Sequence, residues 1–304
     1  MTIQDLVRDF LADRQAKVTN RELSPKTVRE YRGPLERELL PFCVREGIVD
    51  VERLDKRALE KLRTKLIARN LATPTVNSYL RSVNVALNWA KEERGQDTRT
   101  VKLVKQDRIE RETLTRDEIT RMENAAGSER DKLIVRVLAD TGIRVGELVN
   151  LRTSDVIDRD GEKFIRARGK TGERLVPIPK LYARLRRFAT ETRPKRATSD
   201  RVFLAERRRP HAAGLGPLTE SGVQQVVREV AEQAGVSRAG RPVHPHLFRH
   251  SFMTYQLQRD MHPMQLKRIV GHKTTKMIDE IYEHLGTGDA YRSMVRTLSG
   301  EEDR

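Results

Sequence analysis

The period of the apolar residues limits what this chain can fold into more than any other feature of its sequence. Apolar side chains recur at three- and four-residue spacing along most of the chain, which is the repeat of amphipathic α-helices. The period changes to two only between Val156 and Ile178, where short apolar segments alternate with the turn sequences DRDG and RGKTG. Such alternation predicts a three-stranded antiparallel sheet. The sequence therefore predicts a mainly α fold with a small antiparallel β-sheet.

The two parts of the chain differ in pattern, and a length of 304 residues favours two domains. Residues 1–95 show helical spacing only, so we expect a helical bundle there. Residues 96–112 are polar and basic without an apolar stripe, as is typical of an interdomain linker. Residues 113–304 contain further helices together with the predicted sheet, and we expect an α+β domain.

The chain is strongly basic, with 60 Lys and Arg residues against 44 Asp and Glu residues and a formal net charge of +16. Residues 1–100 and the remainder both share the excess, so it does not come from a charged tail. A basic excess on two folded surfaces favours a polyanion as partner. Solubility alone is the other interpretation of the same charge.

Cysteine content and hydropathy exclude several other classes of protein. Cys43 is the one cysteine, which excludes a disulfide framework and a cysteine zinc site. Every apolar run is shorter than the ~20 residues of a membrane-spanning helix. We therefore expect a cytoplasmic, nucleoid-associated protein.

Residues 244–284 contain basic side chains and a tyrosine at spacings that helical geometry brings together. His246 and Arg249 lie three residues apart on one predicted helix and so share a face. The next predicted helix ends at a glycine, and His272 follows in the turn. Tyr282 lies about two turns along a third predicted helix. This arrangement suits an anionic group held against a tyrosine.

The order of these motifs resembles a known family. The sequence HxxRH is followed by GH, and Tyr282 comes ten residues after the histidine of GH. Upstream, Arg144 stands in TGIRVGEL and Lys170 stands in RGKTGERLVPIP. Together these motifs resemble the tyrosine recombinase (phage integrase) family, in particular its Xer-like members or simple integrases without an arm-binding domain. The resemblance covers the larger, C-terminal part of the chain.

The resemblance implies a catalytic role for four of the matching residues. Arg144 and Arg249 would clamp the non-bridging oxygens of a DNA phosphodiester, because guanidinium groups offer paired donors that match them. Tyr282 would be the nucleophile. Lys170, at the tip of the second predicted hairpin, would be the general acid that protonates the departing 5′-oxygen.

The resemblance also implies roles for four supporting residues. His246 would bind a phosphate oxygen or assist proton transfer, and His272 would donate a hydrogen bond to a phosphate oxygen. Glu147 and His250 would buttress the arginine clamp. Single residues of these types are more often structural, and it is their place within the motifs that favours a functional role.

As a whole, the resemblance implies a site-specific DNA recombinase that cleaves and rejoins duplex DNA through a 3′-phosphotyrosine intermediate. No cofactor is needed, because the phosphotyrosine bond conserves the energy of the broken bond. Residues 1–95 would be a core DNA-binding domain and residues 113–304 the catalytic domain, closing around double-stranded DNA.

The resemblance further implies a homotetramer on two recombination sites, in which C-terminal helices are exchanged between protomers. Such a helix could present an apolar face, although docking within one protomer is equally compatible with its residues Tyr291, Met294, Val295 and Leu298. An accessory DNA-bending or directionality factor is a further partner that the resemblance allows.

Three other functions and a metal site compete with this interpretation. A type IB topoisomerase uses a similar clamp and tyrosine but relaxes supercoils as a monomer. A non-catalytic DNA-binding accessory protein would have lost one of the motif residues, and each is present. An RNA-binding protein is disfavoured by an aromatic content of 5%. A zinc ion on His244, His246 and His250 is disfavoured because no cysteine completes the site.

Overall fold

The structure is a computed structural model that describes residues 1–105, 112–169, 172–194, 197–205, 214–238, 242–272, 274, 278–279 and 281. The chain divides into two compact units, Met1–Ile109 and Glu110–Arg304. Lys170 and Tyr282, and the predicted C-terminal face Tyr291, Met294, Val295 and Leu298, lie outside the described residues.

The regular elements in the described part of the first unit are all helices. Its α-helices are α1 (Ile3–Thr19), α2 (Pro25–Pro34), α3 (Leu40–Glu46), α4 (Lys56–Ile67) and α5 (Thr73–Arg94). Helices α1, α2 and α4 begin with side-chain caps. The hydroxyl groups of Thr2 and Ser24 and the carboxylate of Asp55 each accept a hydrogen bond from a backbone N–H that has no partner within the helix. Between α2 and α3 the chain forms a wider π-helical turn, Leu35–Leu39, directly after Pro34.

The core of the first unit packs around α1 and α5. Phe10 of α1 contacts the rings of Tyr31 and Trp89 edge-on, with ring centroids 5.4 and 5.8 Å apart. The same core includes buried leucines of α4, namely Leu59, Leu62 and Leu66. The helical bundle expected from the apolar period is therefore confirmed.

The second unit combines helices with the one sheet found among the described residues. Its elements are α6 (Arg116–Ala125), α7 (Glu129–Thr141), α8 (Val145–Asn150), β1 (Val156–Arg159), β2 (Glu162–Gly169), β3 (Gly172–Pro177), α9 (Tyr182–Arg187), α10 (Glu220–Gln233), α11 (Pro245–Gln258) and α12 (Pro263–Val270). Thr115 and Glu118 form a capping box at the start of α6, as their spacing predicts. The predicted fold class, mainly α with a small antiparallel sheet, is confirmed.

The sheet has the order β1-β2-β3 with both neighbouring pairs antiparallel. Val156 pairs with Ile165, and Ile165 pairs with Val176 on the other side. These three side chains are buried, so one face of the sheet covers the core of this unit. The pairing of β2 with β3 extends to Gly169 and Gly172, which flank the position of Lys170 in the sequence.

Part of the segment expected to be a linker is attached to the first unit. Val101 is 4% exposed, and the backbones of Val101 and Val104 hydrogen-bond to side chains of α5. The attachment has a physical reason, because Val101, Leu103 and Val104 are apolar and pack on the core.

None of the described helices is long and apolar enough to cross a membrane.

Candidate active site

Arg144 stands where α7 ends and α8 begins. Gly142 ends α7 in the left-handed conformation, with φ +58°, and a Cβ atom there would lie 2.4 Å from the ring of Phe252. The turn makes Arg144 the N-cap residue of α8, where its backbone N–H donates to Oε2 of Glu147 at 2.8 Å. The Arg144 side chain remains 38% exposed. A phosphate in solution can therefore approach its guanidinium group.

Arg249 is buried in the middle of α11 and is 2% exposed. Its Nη1 donates to the carbonyl of Gly142 at 2.6 Å and its Nη2 donates to the carbonyl of Val270 at 2.7 Å. Burial, together with repulsion from Arg144, lowers the pKa of Arg249 to about 9. The group is still a cation at neutral pH, held by carbonyl dipoles rather than by a carboxylate.

The C-terminal end of α12 holds three guanidinium groups. The carbonyls of Ile269, Val270 and Gly271 accept in turn from Arg174 Nε at 2.5 Å, Arg249 Nη2 at 2.7 Å and Arg144 Nη2 at 3.1 Å. The last carbonyls of a helix have no partner within the helix and carry its negative dipole end. This helix end therefore supplies acceptors that hold the three cations together.

Glu147 is the one carboxylate among these arginines in the described part of the site, and it is 2% exposed. Nη1 and Nη2 of Arg174 donate to its two oxygens at 2.7 and 2.9 Å, and Arg144 Nη1 donates at 3.1 Å. Burial alone would raise the pKa of Glu147, but the hydrogen bonds from Arg174 and Arg144 outweigh it, and the pKa is lowered. Glu147 is therefore an ionised link between two arginines.

The sequence motifs do not distinguish Arg174 from the other arginines of the chain. It lies on β3 and joins Glu147 of α8 to the end of α12, so that three elements meet at one guanidinium group. Gly271 makes room for it, since a Cβ atom there would lie 2.8 Å from Arg174 Nη1. The signal that could have found Arg174 is the strand period, which puts it on the same face of β3 as the buried Val176.

The three predicted histidines differ in burial. His272 follows α12 directly and is half-buried, and its Nδ1 has no hydrogen-bond partner among the described residues. Burial, followed by repulsion from Arg249, Arg144, Arg174 and His246, lowers the pKa of His272 to about 4. His246 is exposed near the start of α11, whereas His250 is 9% exposed. The structure thus locates six of the eight predicted site residues. Four of the six surround one region, namely Arg144, His246, Arg249 and His272.

Because the pKa of His272 is low in the free protein, we expect it to change when an anion binds. We expect the imidazole to titrate near pH 4 in the free protein and at a higher pH when a phosphate diester occupies the site, because the anion offsets the repulsion from the arginines. An NMR pH titration of the imidazole carbon-bound protons, with and without duplex DNA, measures both values, and His272→Gln assigns the signal. An unchanged pKa on saturation with DNA would show that the phosphate does not reach this site.

The lowered pKa of His272 also makes the free energy of unfolding depend on pH between about 6.5 and 4. Unfolded histidine titrates near pH 6.5, about as model compounds do, so below that pH the unfolded chain binds the proton more readily than the folded one. The stabilising contribution of neutral His272 is therefore complete above pH 6.5 and is lost as the pH falls towards 4.

A cleft of about 220 Å³ opens beside His272. Arg174, Lys267 and Arg268 contribute three cations to its lining, against the single carboxylate of Glu173. Such a balance suits an anionic ligand. Among the described residues no group of histidines, cysteines and carboxylates could hold a metal ion.

Comparisons with known proteins agree with this chemistry. A model of the phage integrase family matches residues 112–288. The tyrosine recombinase XerA of Pyrococcus furiosus is 28% identical over 292 residues, which cover 92% of each chain.

Two solved structures share the fold. The Tn1549 transposon integrase in complex with transposon right end DNA superposes with a TM-score of 0.72 at 18% identity, covering 97% of this chain and 99% of that one. A lambda integrase tetramer bound to a Holliday junction superposes with a TM-score of 0.68 at 18% identity, covering 92% and 77%.

Proposed function

The chain belongs to the phage integrase family, and we propose that it is a site-specific recombinase that cleaves and rejoins duplex DNA through a 3′-phosphotyrosine intermediate. The resemblance inferred from its motifs is thereby confirmed at the level of the family. The observation that carries the proposal is the cluster of three guanidinium groups on consecutive carbonyls of one helix end, beside His272.

Arg144 and Arg249 bind the phosphodiester that is to be cut. A guanidinium group has five N–H donors, and the Gly142 and Val270 carbonyls accept from Arg249 without using all of them. When phosphorus becomes five-coordinate, negative charge builds up on its non-bridging oxygens. Donors fixed in advance stabilise that charge more than the charge of the ground state, and they require no rearrangement at the moment of reaction. His246 and His272 add donors to the same oxygens.

Tyr282 and Lys170 carry out the bond exchange in this proposal, which for these two residues rests on the sequence motifs. The Tyr282 oxygen forms a bond to phosphorus while the bond from phosphorus to the 5′-oxygen breaks, and Lys170 gives that oxygen a proton. A phenol has a pKa of about 10, so nearby cations are needed to favour the phenolate. The freed 5′-hydroxyl of a partner strand later attacks the phosphotyrosine and releases Tyr282.

The basic charge and the homologous proteins support the partners of this reaction. Residues 1–95 act as core DNA-binding domain and residues 113–304 as catalytic domain, and a net charge of +16 favours the DNA polyanion. The assembly is a homotetramer on two recombination sites, by analogy with the lambda integrase tetramer on a Holliday junction. Exchange between two sites distinguishes it from a type IB topoisomerase, which relaxes DNA.

Covalent trapping tests the proposal. On nicked duplexes that carry the DNA flanking its gene, the wild-type chain is expected to accumulate a covalent complex, whereas Tyr282→Phe binds the same duplex and accumulates none. Tyr291→Phe is the matched control and should trap like the wild type. Denaturing gels measure the complex and gel shifts measure binding. Trapping by Tyr282→Phe would refute the nucleophile, and a wild-type chain that never traps would refute the proposed function.

A further inference from the structure

The chain reverses after α5 and returns along that helix as an extended strap, residues 98–104. Gly95 ends α5 in the left-handed conformation, with φ +63°. The Thr98 hydroxyl then donates to the carbonyl of Leu87 at 2.9 Å. Later strap residues meet positions progressively earlier in α5, so the strap runs antiparallel to the helix.

Two asparagines of α5 hold the strap by its backbone. Asn84 donates to the carbonyl of Val101 at 2.9 Å and accepts from its N–H at 2.8 Å. Asn77 makes the same pair of bonds with Val104, at 2.9 and 2.8 Å. A side-chain amide has the donor and acceptor of a peptide group. The two asparagines therefore pair with the strap as a neighbouring β-strand would.

The spacing of these four residues fits this arrangement. Seven residues of helix separate Asn77 from Asn84, a rise of about 10.5 Å. Three extended residues separate Val101 from Val104, a rise of about 10 Å. Asn77 is 3% exposed, so loss of the strap would leave its amide without these backbone partners.

The chain is held again where the second unit begins. Arg238 Nη2 donates to the carbonyl of Thr113 at 2.8 Å, and the Leu114 N–H donates to the Ser251 hydroxyl at 2.7 Å. Ser251 lies two residues after Arg249 on α11. The covalent tether between the two held points therefore runs from Val104 to Thr113.

We propose that Asn77 and Asn84 are specificity-determining residues that set the length of this tether and with it the spacing of DNA contacts that one chain can span. From Val104 to Thr113 a fully extended chain reaches about 30 Å, and from Gly95 to Thr113 it reaches about 60 Å. When the strap is held, the free part of the tether can therefore span only about half the distance that it could span if the strap were released. The inference rests on the proposed function, in which both units bind one DNA site.

The tether length has a measurable consequence for site choice. An insertion of 5 base pairs moves one half of a site by about 17 Å and to the opposite face of the duplex, since a helical turn is about 10 base pairs. We expect the short tether to oppose both changes and a doubled tether to permit them. Doubling also lowers the effective concentration of the second unit by about threefold. We therefore expect release of the strap to lower DNA affinity slightly and to make that affinity much less dependent on the spacing of the DNA contacts.

Strap release is first measured without DNA. Asn77→Ala/Asn84→Ala is compared with Asn88→Ala, an exposed asparagine on the same helix. Spin labels are attached to cysteines that replace the exposed residues Glu52 and Glu191. The native Cys43 will not react, because it is 1% exposed and burial raises the pKa of its thiol to about 12. We expect the double variant alone to extend the distance distribution beyond the wild-type range, and an unchanged distribution would overturn the proposal.

The effect of site spacing is then measured by DNA binding and covalent trapping. Two duplexes are compared, the native one and one with a 5-base-pair insertion between the segments that the two units protect. We expect the insertion to cost the wild type and Asn88→Ala about 100-fold in affinity, and the double variant less than about 10-fold. A chain with nine Gly and Ser residues inserted after Lys105 should reproduce the relaxed spacing with the strap intact, which covers the case in which the double variant does not fold.

The outcomes separate this inference from the proposed function. Trapping by the wild type on the native duplex supports the recombinase function whatever the variants do. The chain with the Gly and Ser insertion could tolerate the longer DNA site while a folded double variant does not. That result would overturn the proposal that the strap sets the tether length. Equal spacing penalties in all chains would show that the tether does not limit site choice.

Discussion

Arg249→Ala is expected to lower the rate of covalent complex formation on a nicked duplex by about 10²–10³-fold or more, the effect of losing one donor to a developing oxyanion. The variant loses a cation that lies at the centre of the site and binds the Gly142 and Val270 carbonyls. Each carbonyl left without its donor in a buried site costs about 1–3 kcal/mol. We therefore expect a lower free energy of unfolding by about 3 kcal/mol, measured by urea denaturation.

Arg249→Lys separates the charge from the geometry. Lysine keeps a cation but cannot spread planar donors between two carbonyls and a phosphate. We expect it to recover part of the stability and little of the cleavage rate. Arg186→Ala is the matched control, since it removes an exposed arginine of the same unit and should leave both quantities unchanged. Cleavage by folded Arg249→Ala within tenfold of the wild-type rate, about 1.4 kcal/mol, would contradict the role of this residue.

The fold could largely be predicted from the sequence because its signals are local. A capping box lies within four residues, as with Thr115 and Glu118, and the two ends of α12 are marked by Pro263 and Gly271. The strand period likewise appears within a few residues. Each of these features depends on neighbours in the sequence, so a single sequence is enough to find them.

The support of the candidate site could not be predicted in the same way. Its acceptors are backbone carbonyls of α12, and a carbonyl has no sequence signal of its own. Arg174 is one of 60 basic residues, and only the face of β3 on which it lies distinguishes it. The family motifs indicated Arg144 and Arg249 but not the helix end that holds both of them. Contacts between residues 127 and 21 positions apart connect these two arginines to that end.

The strap is hard to predict from the sequence for a different reason. The composition of residues 96–112 is dominated by polar and basic residues, which is typical of a linker. Its apolar residues were the contrary signal, together with two asparagines seven residues apart on the inner face of α5, where Val76 and Val83 are buried. A polar residue that repeats within a buried stripe requires a partner, and here the partner is the backbone of the strap.

Arg174→Ala is expected to destabilise the protein by about 3 kcal/mol, because breaking a buried ion pair leaves the Glu147 carboxylate with only part of its compensation. Without the Arg174 fork, the pKa of Glu147 should rise towards its ordinary value. In the wild type that pKa is lowered, so the contribution of ionised Glu147 is present above the ordinary pKa of a glutamate and is lost only as the pH falls through the lowered value. In the variant the pKa of Glu147 is nearly the same in the folded and unfolded states, so the stability of the variant should fall less on acidification than that of the wild type.

A double-mutant cycle identifies the pair as the cause. Glu147→Gln alone removes the acceptor of two arginines, but in combination with Arg174→Ala it also removes the uncompensated charge. We expect the double variant to be more stable than the sum of the two single effects predicts, by about 1–2 kcal/mol. Additive effects in urea denaturation would mean that the two residues do not stabilise each other.

Catalysis supplies the measurement that a purely structural role of Arg174 would not change. Arg174 helps to hold the end of α12, and a displacement of about 1 Å of a positioned group can cost 10²-fold in rate. It is also one of the cations that lower the pKa of His272. We therefore expect Arg174→Ala to slow covalent complex formation by about that factor and to raise the pKa of His272 in the same NMR titration. Arg174→Lys should restore most of the His272 shift without restoring the rate, because an ammonium group supplies the charge but not the fork that joins Glu147 to the Ile269 carbonyl. A slower rate with an unshifted His272 would mean that Arg174 acts on the fold and not on the site.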